Sequence, residues 1–368
     1  QIVGTNGKGS IASFIEKSLI YENIKCGVTT SPHLIHWNER IRVNGNNISN
    51  QDLKKIIIEI KDITKGINLT AFELIILASL KYFENQKVKV IVLEAGLGGR
   101  LDATTIHAKR PIIAIAKIGL DHCEYLGEKV EEIAKEKTAV IKKHSTVISN
   151  TQEPEVTKII IEKANKQNAT LEWAKKIPEE WKLNLQGCFQ RENAAVAVRV
   201  LKALEKLDLK VKERNIKAGI ESAYWPGRLQ SAKWNSIPIY IDCAHNLDAA
   251  SQLSKERNSW PDAKNGATWI LGIQRQKMGE EMINRLVRPN DEIWIVPVPK
   301  HASWTRQDLS RLKPFITSKL KEEQSIESIL EKLKENGELE QRRTIIAGSI
   351  YLIGDLLSRQ IITLTNQL

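Results

Sequence analysis

The heptad Gly4-Thr5-Asn6-Gly7-Lys8-Gly9-Ser10 has the composition of a phosphate grip. Glycine-rich turns that end in Lys and a hydroxyl residue wrap backbone N–H groups around phosphate oxygens, and the ammonium offsets their charge. The common version puts Ser or Thr directly after the Lys, whereas here Gly9 intervenes before Ser10. Taken alone, the heptad is also compatible with an ordinary loop rich in Gly and Asn, so the rest of the chain has to decide.

Other loops offer groups to the same neighbourhood. A β-branched run at 88–93 ends in Glu94-Ala95-Gly96-Leu97-Gly98-Gly99-Arg100-Leu101-Asp102. Ligands of open α/β sheets bind beyond the carboxyl ends of strands, which aims Glu94 at the nucleotide loop. A carboxylate there suits Mg2+, a hard cation that prefers oxygen ligands; in isolation it is equally a salt-bridge partner. Gly119-Leu120-Asp121-His122 follows another strand end, and His122 is either a satisfied polar residue or, as neutral imidazole, a companion ligand to Glu94. The loop Thr29-Thr30-Ser31-Pro32-His33-Leu34 presents the Ser31 hydroxyl to the same region.

Lys137 stands out by position. In the expected helix 127–142, Val130, Ile133, Ala134, Lys137 and Ile141 share one face, so Lys137 points inward while Glu131, Glu132 and Lys135 point away. A bare buried ammonium needs a partner, a lowered pKa or a chemical change. Snorkelling or a buried ion pair is one outcome. The other is addition of CO2 to the neutral amine, giving an anionic carbamate suited to a second Mg2+. Later in the chain, the strand Ile239-Tyr240-Ile241-Asp242 leads into Cys243-Ala244-His245-Asn246. Asp242 can accept from ribose hydroxyls, with His245 in the same loop. Arg228 is a phosphate clamp or a surface ion pair.

The elements that position these groups read as α/β layering with a mostly parallel sheet. Strands are expected at 26–30, 88–94 and 112–116, and helices at 70–85, 127–142 and 191–207. The pattern breaks around Ala223-Tyr224-Trp225-Pro226-Gly227-Arg228. A new series then begins: strand 237–242, a helix near 247–255, and strands 268–271, 292–296 and 343–347. The expected fold class is therefore a P-loop ATPase domain with a mostly parallel sheet over 1–228, followed by a smaller Rossmann-like α/β domain over 229–368. The chain opens on Gln1-Ile2-Val3 without an initiator Met and reads as starting in the strand that feeds the loop, so preceding residues are expected.

Composition narrows the class. At 368 residues with 42% apolar and 27% charged side chains, the chain is an ordinary globular one. No apolar run approaches the ~20 residues of a bilayer span, and no signal peptide is visible. Cys26, Cys123, Cys188 and Cys243 are scattered without metal-type spacing, which suits reduced thiols in a cytoplasm. The net charge of +11 comes from interspersed rather than clustered residues and brings no nucleic-acid motif. A basic surface favours anionic small substrates, and a Lys-rich composition bias explains it equally well.

Together these segments resemble the Mur ligase superfamily, specifically its folylpolyglutamate synthase and dihydrofolate synthase branch. The resemblance rests on GTNGKGS at 4–10, TSPHL at 30–34, NERIRVNG at 38–45, TAFE at 70–73 and EAGLGGRLDAT at 94–104. It continues through LDH at 120–122, AKEK at 134–137, QRENAA at 190–195, WPGR at 225–228 and DCAHN at 242–246. It implies an ATP-binding set of Asn6, Gly7, Lys8, Gly9, Asn193, Arg228 and Asp242. Ser31, Glu94 and His122 are implied as Mg2+ ligands, with a carbamylated Lys137 at a second Mg2+. Lys8, Lys137 and His122 are then the catalytic residues, and Thr70, Ala71, Phe72, Leu101 and His245 the pterin-substrate contacts.

The implied reaction is ATP-dependent amide ligation of L-glutamate to a folate or dihydropteroate carboxylate through an acyl phosphate. Expected partners are small molecules alone, on a monomer, with no nucleic acid or membrane. A peptidoglycan-type Mur ligase and a P-loop nucleotide switch are the rival readings. Departures from the family pattern fall at Thr105, at Thr138-Ala139 and at Arg275-Gln276-Lys277, where the usual Asn, Ala-Gly and a preceding Asp are absent.

Overall fold

The computed structural model describes residues 1–107 and 109–365. They divide into two compact units, one of residues 1–184 with 189–225, the other of residues 185–188 with those from 226 onward. The break between Trp225 and Pro226 lies inside the interrupted pattern. Nothing in the pattern signals that Leu185–Cys188 groups with the second unit.

In the first unit the strands are β1 (Ile2–Val3), β2 (Cys26–Thr29), β3 (Ile41–Val43), β4 (Asn46–Asn47), β5 (Val90–Leu93), β6 (Ile112–Ile115), β7 (Thr146–Ser149) and β8 (Thr170–Trp173). One sheet runs β1-β6-β7-β8 and is wholly parallel. The other runs β4-β3-β2-β5, with β2 and β5 parallel and β3 antiparallel to both its neighbours. The two sheets adjoin through a parallel bridge between Ile2 and Glu94, where the Ala95 N–H donates to the Ile2 carbonyl at 2.9 Å. In consequence β2, β5, β1 and β6 lie side by side with their carboxyl ends on one rim, and that rim carries the loops with candidate chemistry.

The helices of this unit are α1 (Lys8–Tyr21), α2 (Asn50–Ile63), α3 (Ala71–Asn85), α4 (Cys123–Leu126), α5 (Val130–Thr138), α6 (Pro154–Lys166), α7 (Phe189–Ala203) and α8 (Glu213–Ser222). Their starts follow local chemistry: Ser49 accepts from the Asp52 N–H to begin α2, and Thr70 forms a reciprocal capping box with Glu73 to begin α3. Ile56, Ile60, Ile75 and Phe83 pack α2 and α3 over one sheet, while Ile113, Ile115, Ile133 and Ile160 fill the core of the other.

The helix expected over 127–142 is shorter, running Val130–Thr138. Gly127 sits at φ 108° and interrupts it at the start. At the other end, Val140 and Ile141 leave the helical path and drop into the core beneath. The helix expected over 191–207 begins earlier, at Phe189, and gives way to a tight turn at Leu204–Leu207.

The second unit is built on β9 (Gln230–Trp234), β10 (Ile237–Asp242), β11 (Ala267–Leu271), β12 (Glu292–Ile295), β13 (Leu320–Glu322), β14 (Arg343–Ala347) and β15 (Thr363–Leu364), in the order β13-β12-β11-β14-β10-β9-β15. The run from β13 to β10 is parallel, and β9 and β15 close one edge antiparallel. Trp269, Ile283, Ile293 and Ile345 form its core. Helix α9 (Leu247–Ser259) starts where Asn246 accepts from the Ala249 N–H at 2.9 Å. No described helix is long and apolar enough to cross a membrane.

Candidate active site

The chain leaves β1 at Val3 and enters α1 at Lys8, so Gly4–Gly7 make the whole turn. Gly7 lies at φ 93°, the left-handed region, and the Asn193 amide oxygen occupies the place of any Cβ. The turn is tied to the exit of β6: the Thr5 and Asn6 N–H groups donate to the Lys117 carbonyl at 2.8 and 3.2 Å. The Thr5 hydroxyl also donates to the Gly119 carbonyl at 3.0 Å and accepts from its N–H at 3.1 Å. No side chain caps α1 and no acidic residue stands in its first turn, so its leading N–H groups suit an anion. The Lys8 ammonium folds back over the turn, donating to the Gly4 and Thr5 carbonyls, each at 3.1 Å.

On the neighbouring strand ends, the Ser31 N–H donates to Glu94 Oε2 at 3.3 Å. Glu94 is 4% exposed, and the Ser31 hydroxyl is buried without a hydrogen-bond partner. Orphaned buried hydroxyls are rare because desolvation goes uncompensated, and one beside a buried carboxylate fits an oxygen-seeking cation. The loop is braced from behind: Glu39 accepts from the N–H groups of Leu34, Ile35 and His36 at 2.7, 2.8 and 2.7 Å, and Arg40 donates to His33 Nδ1 at 2.8 Å.

At the end of β6, His122 adopts φ 53° just before α4, with its N–H on Asp121 Oδ1 at 3.0 Å and its ring Nε2 3.8 Å from Asp121 Oδ2. No group of three or more His, Cys, Asp or Glu suited to a metal occurs among the described residues. The expected ligand set contains only Glu94 and His122 of those types and relies on a hydroxyl for the rest.

Lys137 is 5% exposed in the last turn of α5, and its ammonium donates to the Gly4 carbonyl at 2.9 Å. Burial above all, and then the charge of Lys8, lower its pKa from 10.5 to about 7, against a smaller opposing pull from Asp121 and Asp102. Asp102 is a residue that sequence reasoning passed over. Its carboxylate accepts from the N–H groups of Gly96 and Leu97 at 2.8 and 2.9 Å, and from the Thr104 N–H and hydroxyl at 2.9 and 2.5 Å. It thereby shapes the glycine loop that follows Glu94. The available signal was the Asp-Ala-Thr triplet, in which Asp caps the turn that follows.

The remaining expected residues are distributed as follows. Asn193, in α7, is buried, with its amide N–H on Gln190 Oε1 at 3.0 Å and its oxygen against Gly7. Thr70 is engaged in the cap of α3, its hydroxyl 2.7 Å from Glu73 Oε2. Ala71 is exposed, and the Phe72 ring lies against Gly96. Leu101, 81% exposed, lines a cleft of about 350 Å³ between α3 and the 100–106 segment, together with Leu69, Ile76, Arg100 and Ile106. The departure at Thr105 is accommodated by its hydroxyl donating to the Gly99 carbonyl at 2.7 Å.

Arg228, Asp242 and His245 belong to the second unit. Asp242 accepts from the Leu229 and Ala244 N–H groups, each at 2.7 Å. Burial raises its pKa, against the lowering pull of Arg228 and those amides. The carboxylate thus holds the Arg228 and His245 segments together, and His245 Nδ1 lies 2.8 Å from the Cys243 carbonyl.

Comparison with known proteins adds independent findings. The Mur ligase middle domain family matches residues 2–201, and the dihydrofolate synthetase C-terminal domain family matches residues 227–359. Dihydrofolate synthetase of Saccharomyces cerevisiae is 29% identical, with 97% of this chain and 91% of that protein covered. Dihydrofolate synthase/folylpolyglutamate synthase of Escherichia coli is 34% identical over 75% of this chain and 67% of its own length. The solved structure of E. coli FolC in complex with DHPP and ADP superposes with a TM-score of 0.85 at 27% identity, covering 98% of this chain and 87% of that one. The chain belongs to the dihydrofolate synthase/folylpolyglutamate synthase family of the Mur ligases, enzymes that form carbon–nitrogen bonds.

Proposed function

We propose that this chain joins L-glutamate to the carboxylate of dihydropteroate or of a folate, with ATP supplying the activation. The observation that carries the reading is the rim itself: β2, β5, β1 and β6 are adjacent, and their ends present the Ser31 hydroxyl, the Glu94 carboxylate, the Gly4–Lys8 turn and the Asp121-His122 pair. The relatives' names support the substrate class.

In this reading the α1 N–H groups and Lys8 bind the phosphates of ATP and orient the terminal one. The substrate carboxylate attacks the γ-phosphorus, the bond to the β-phosphate oxygen breaks, and ADP and an acyl phosphate result. The glutamate α-amine then attacks the acyl carbon, loses a proton, and phosphate leaves as the amide forms. Such transfer needs mainly positioning and charge neutralisation. Mg2+ held by Ser31, Glu94 and His122 supplies further neutralisation of phosphate charge when bound. Asn193 holds the turn, and Arg228 and Asp242 belong to the nucleotide set on the second unit. Phe72, Leu101 and the cleft beside them, with Thr70, Ala71 and His245, belong to the pterin set.

Lys137 enters as a carbamate. Its amine is about half neutral near pH 7. The nitrogen lone pair attacks CO2 and a proton leaves. The product is an anion that keeps one N–H for the Gly4 carbonyl and offers oxygens to a second Mg2+.

The test is ADP release by the purified protein with Mg-ATP, measured with and without glutamate, and with dihydropteroate against tetrahydrofolate. Release that needs both glutamate and one of the pteroates supports the proposal; release with neither present sinks it.

A further inference from the structure

We infer that Trp225 is a positioning residue of the phosphate loop: its indole forbids any side chain after Lys8 and, through Arg42, links that loop to the one carrying Ser31. A Cβ at position 9 would lie 2.6 Å from Cε2 and 2.7 Å from Cζ2 and Nε1 of Trp225. Interiors pack too densely to absorb such an overlap without displacement. Gly9 lies within a helix and outside the left-handed region, so the demand for glycine there is one of space alone.

The indole cannot easily yield. The Arg42 guanidinium lies over its ring at 5.1 Å from the centroid, a cation–π arrangement. Arg42 is itself locked, paired with Glu16 of α1 at 2.9 Å with both side chains nearly buried. Glu16 also accepts from the Gly45 N–H at 3.0 Å. On the backbone side, the Tyr224 carbonyl accepts from the Ser13 hydroxyl of α1 at 2.8 Å. Arg42 reaches onward to the Thr30 hydroxyl at 3.2 Å, one residue before Ser31.

This arrangement accounts for the unusual spacing of the heptad. The hydroxyl that a common phosphate loop carries directly after its Lys has no room here. It is displaced to Ser10, which is 2% exposed, and Ser31 instead carries the orphaned hydroxyl on the rim. The path Gly9–Trp225–Arg42–Thr30 sets the distance between the phosphate grip and that hydroxyl. The inference rests on the nucleotide role given to the loop above.

The test is calorimetric binding of ADP, together with ATP kinetics, for Gly9→Ala, Trp225→Phe and the double variant. Phe keeps a ring for Arg42 but is smaller than the indole and lacks Cζ2 and the outer benzo edge, which opens part of the space beside Gly9. G9A should weaken ADP binding and kcat/KM for ATP by at least about tenfold, W225F alone should weaken both by less than G9A does, and the double variant should bind ADP more tightly than G9A, a non-additive result. Recovery in the double variant also answers a G9A protein that does not fold, because the same clash would then be relieved. Unchanged ADP binding in G9A overturns the inference, as do additive losses in the double variant or its failure to fold alongside G9A. Failure of the wild-type protein to bind ADP would instead count against the nucleotide role of the loop.

Discussion

Lys8 and Lys137 donate to one acceptor: the Gly4 carbonyl oxygen receives the first at 3.1 Å and the second at 2.9 Å. Burial first, and then the repulsion between two ammonium groups on one oxygen, weaken the hold of Lys137 on its proton. The chain thereby holds an amine with a pKa of about 7 beside its phosphate loop. A lysine with its ordinary pKa of 10.5 would be almost wholly charged at neutral pH and unable to add CO2.

Replacement of Lys137 by Ala should abolish ligase turnover while leaving ADP binding by calorimetry largely intact, since Lys8 and the α1 N–H groups remain. Removal of CO2 should lower wild-type activity reversibly, with faster recovery at pH 8 than at pH 6 when the dissolved CO2 concentration is held equal, because the neutral amine is the reactant. Full activity in K137A would refute the carbamate.

Lys137 also sets a pH dependence of stability in metal-free, CO2-free protein. Its folded pKa of about 7 lies below the ordinary 10.5. Below pH 7 both folded and unfolded chains hold the proton, and the buried ammonium carries its full penalty. Between pH 7 and 10.5 only the unfolded chain keeps the proton, so this group's contribution makes stability rise with pH across that window. Lys137→Met removes the rise, so its advantage over the wild type in urea unfolding should be larger at pH 6 than at pH 9. An advantage independent of pH would contradict the assignment.

Ser31→Ala removes a hydroxyl that makes no hydrogen bond within the protein. Deleting an unsatisfied buried polar group should leave the urea midpoint unchanged or raise it, by up to about 1–3 kcal/mol of unfolding free energy. Activity should nevertheless fall by about tenfold or more, with a higher Mg2+ requirement, if the hydroxyl serves a cation. A variant as active as the wild type across a Mg2+ titration would remove Ser31 from the site.

Asp102 differs from Ser31 because it holds structure. Asp102→Ala orphans the Gly96, Leu97 and Thr104 N–H groups together, so it should destabilise the protein by roughly 3 kcal/mol and raise hydrogen exchange at 96–104. Asp102→Asn, which keeps one acceptor oxygen, should fall between Ala and wild type. Equal exchange in all three proteins would contradict its role as the brace of the glycine loop.

Local chemistry in the sequence determined the phosphate turn, the strand ends bearing Glu94 and Asp242, the capped start of α3 at Thr70 and the inward face of Lys137, because spacing and capping act over a few residues. The same local rules overran at 127–142: the helical stripe was extended to Ile141, whereas the helix ends at Thr138 and the chain carries Val140 and Ile141 into the core outside it. Only the tertiary structure decided which loops meet, since the adjacency of β2, β5, β1 and β6 depends on pairing across 64 residues or more, as between Cys26 and Val90 (90 − 26) or Ile2 and Glu94. It also decided what the charges do. Lys137 acquires its lowered pKa from burial and from Lys8, 129 positions away in the chain (137 − 8). Gly9 is required by Trp225, whose ring arrives from the far end of the same unit. Burial and close packing are properties of the folded arrangement, and no window of neighbouring residues contains them.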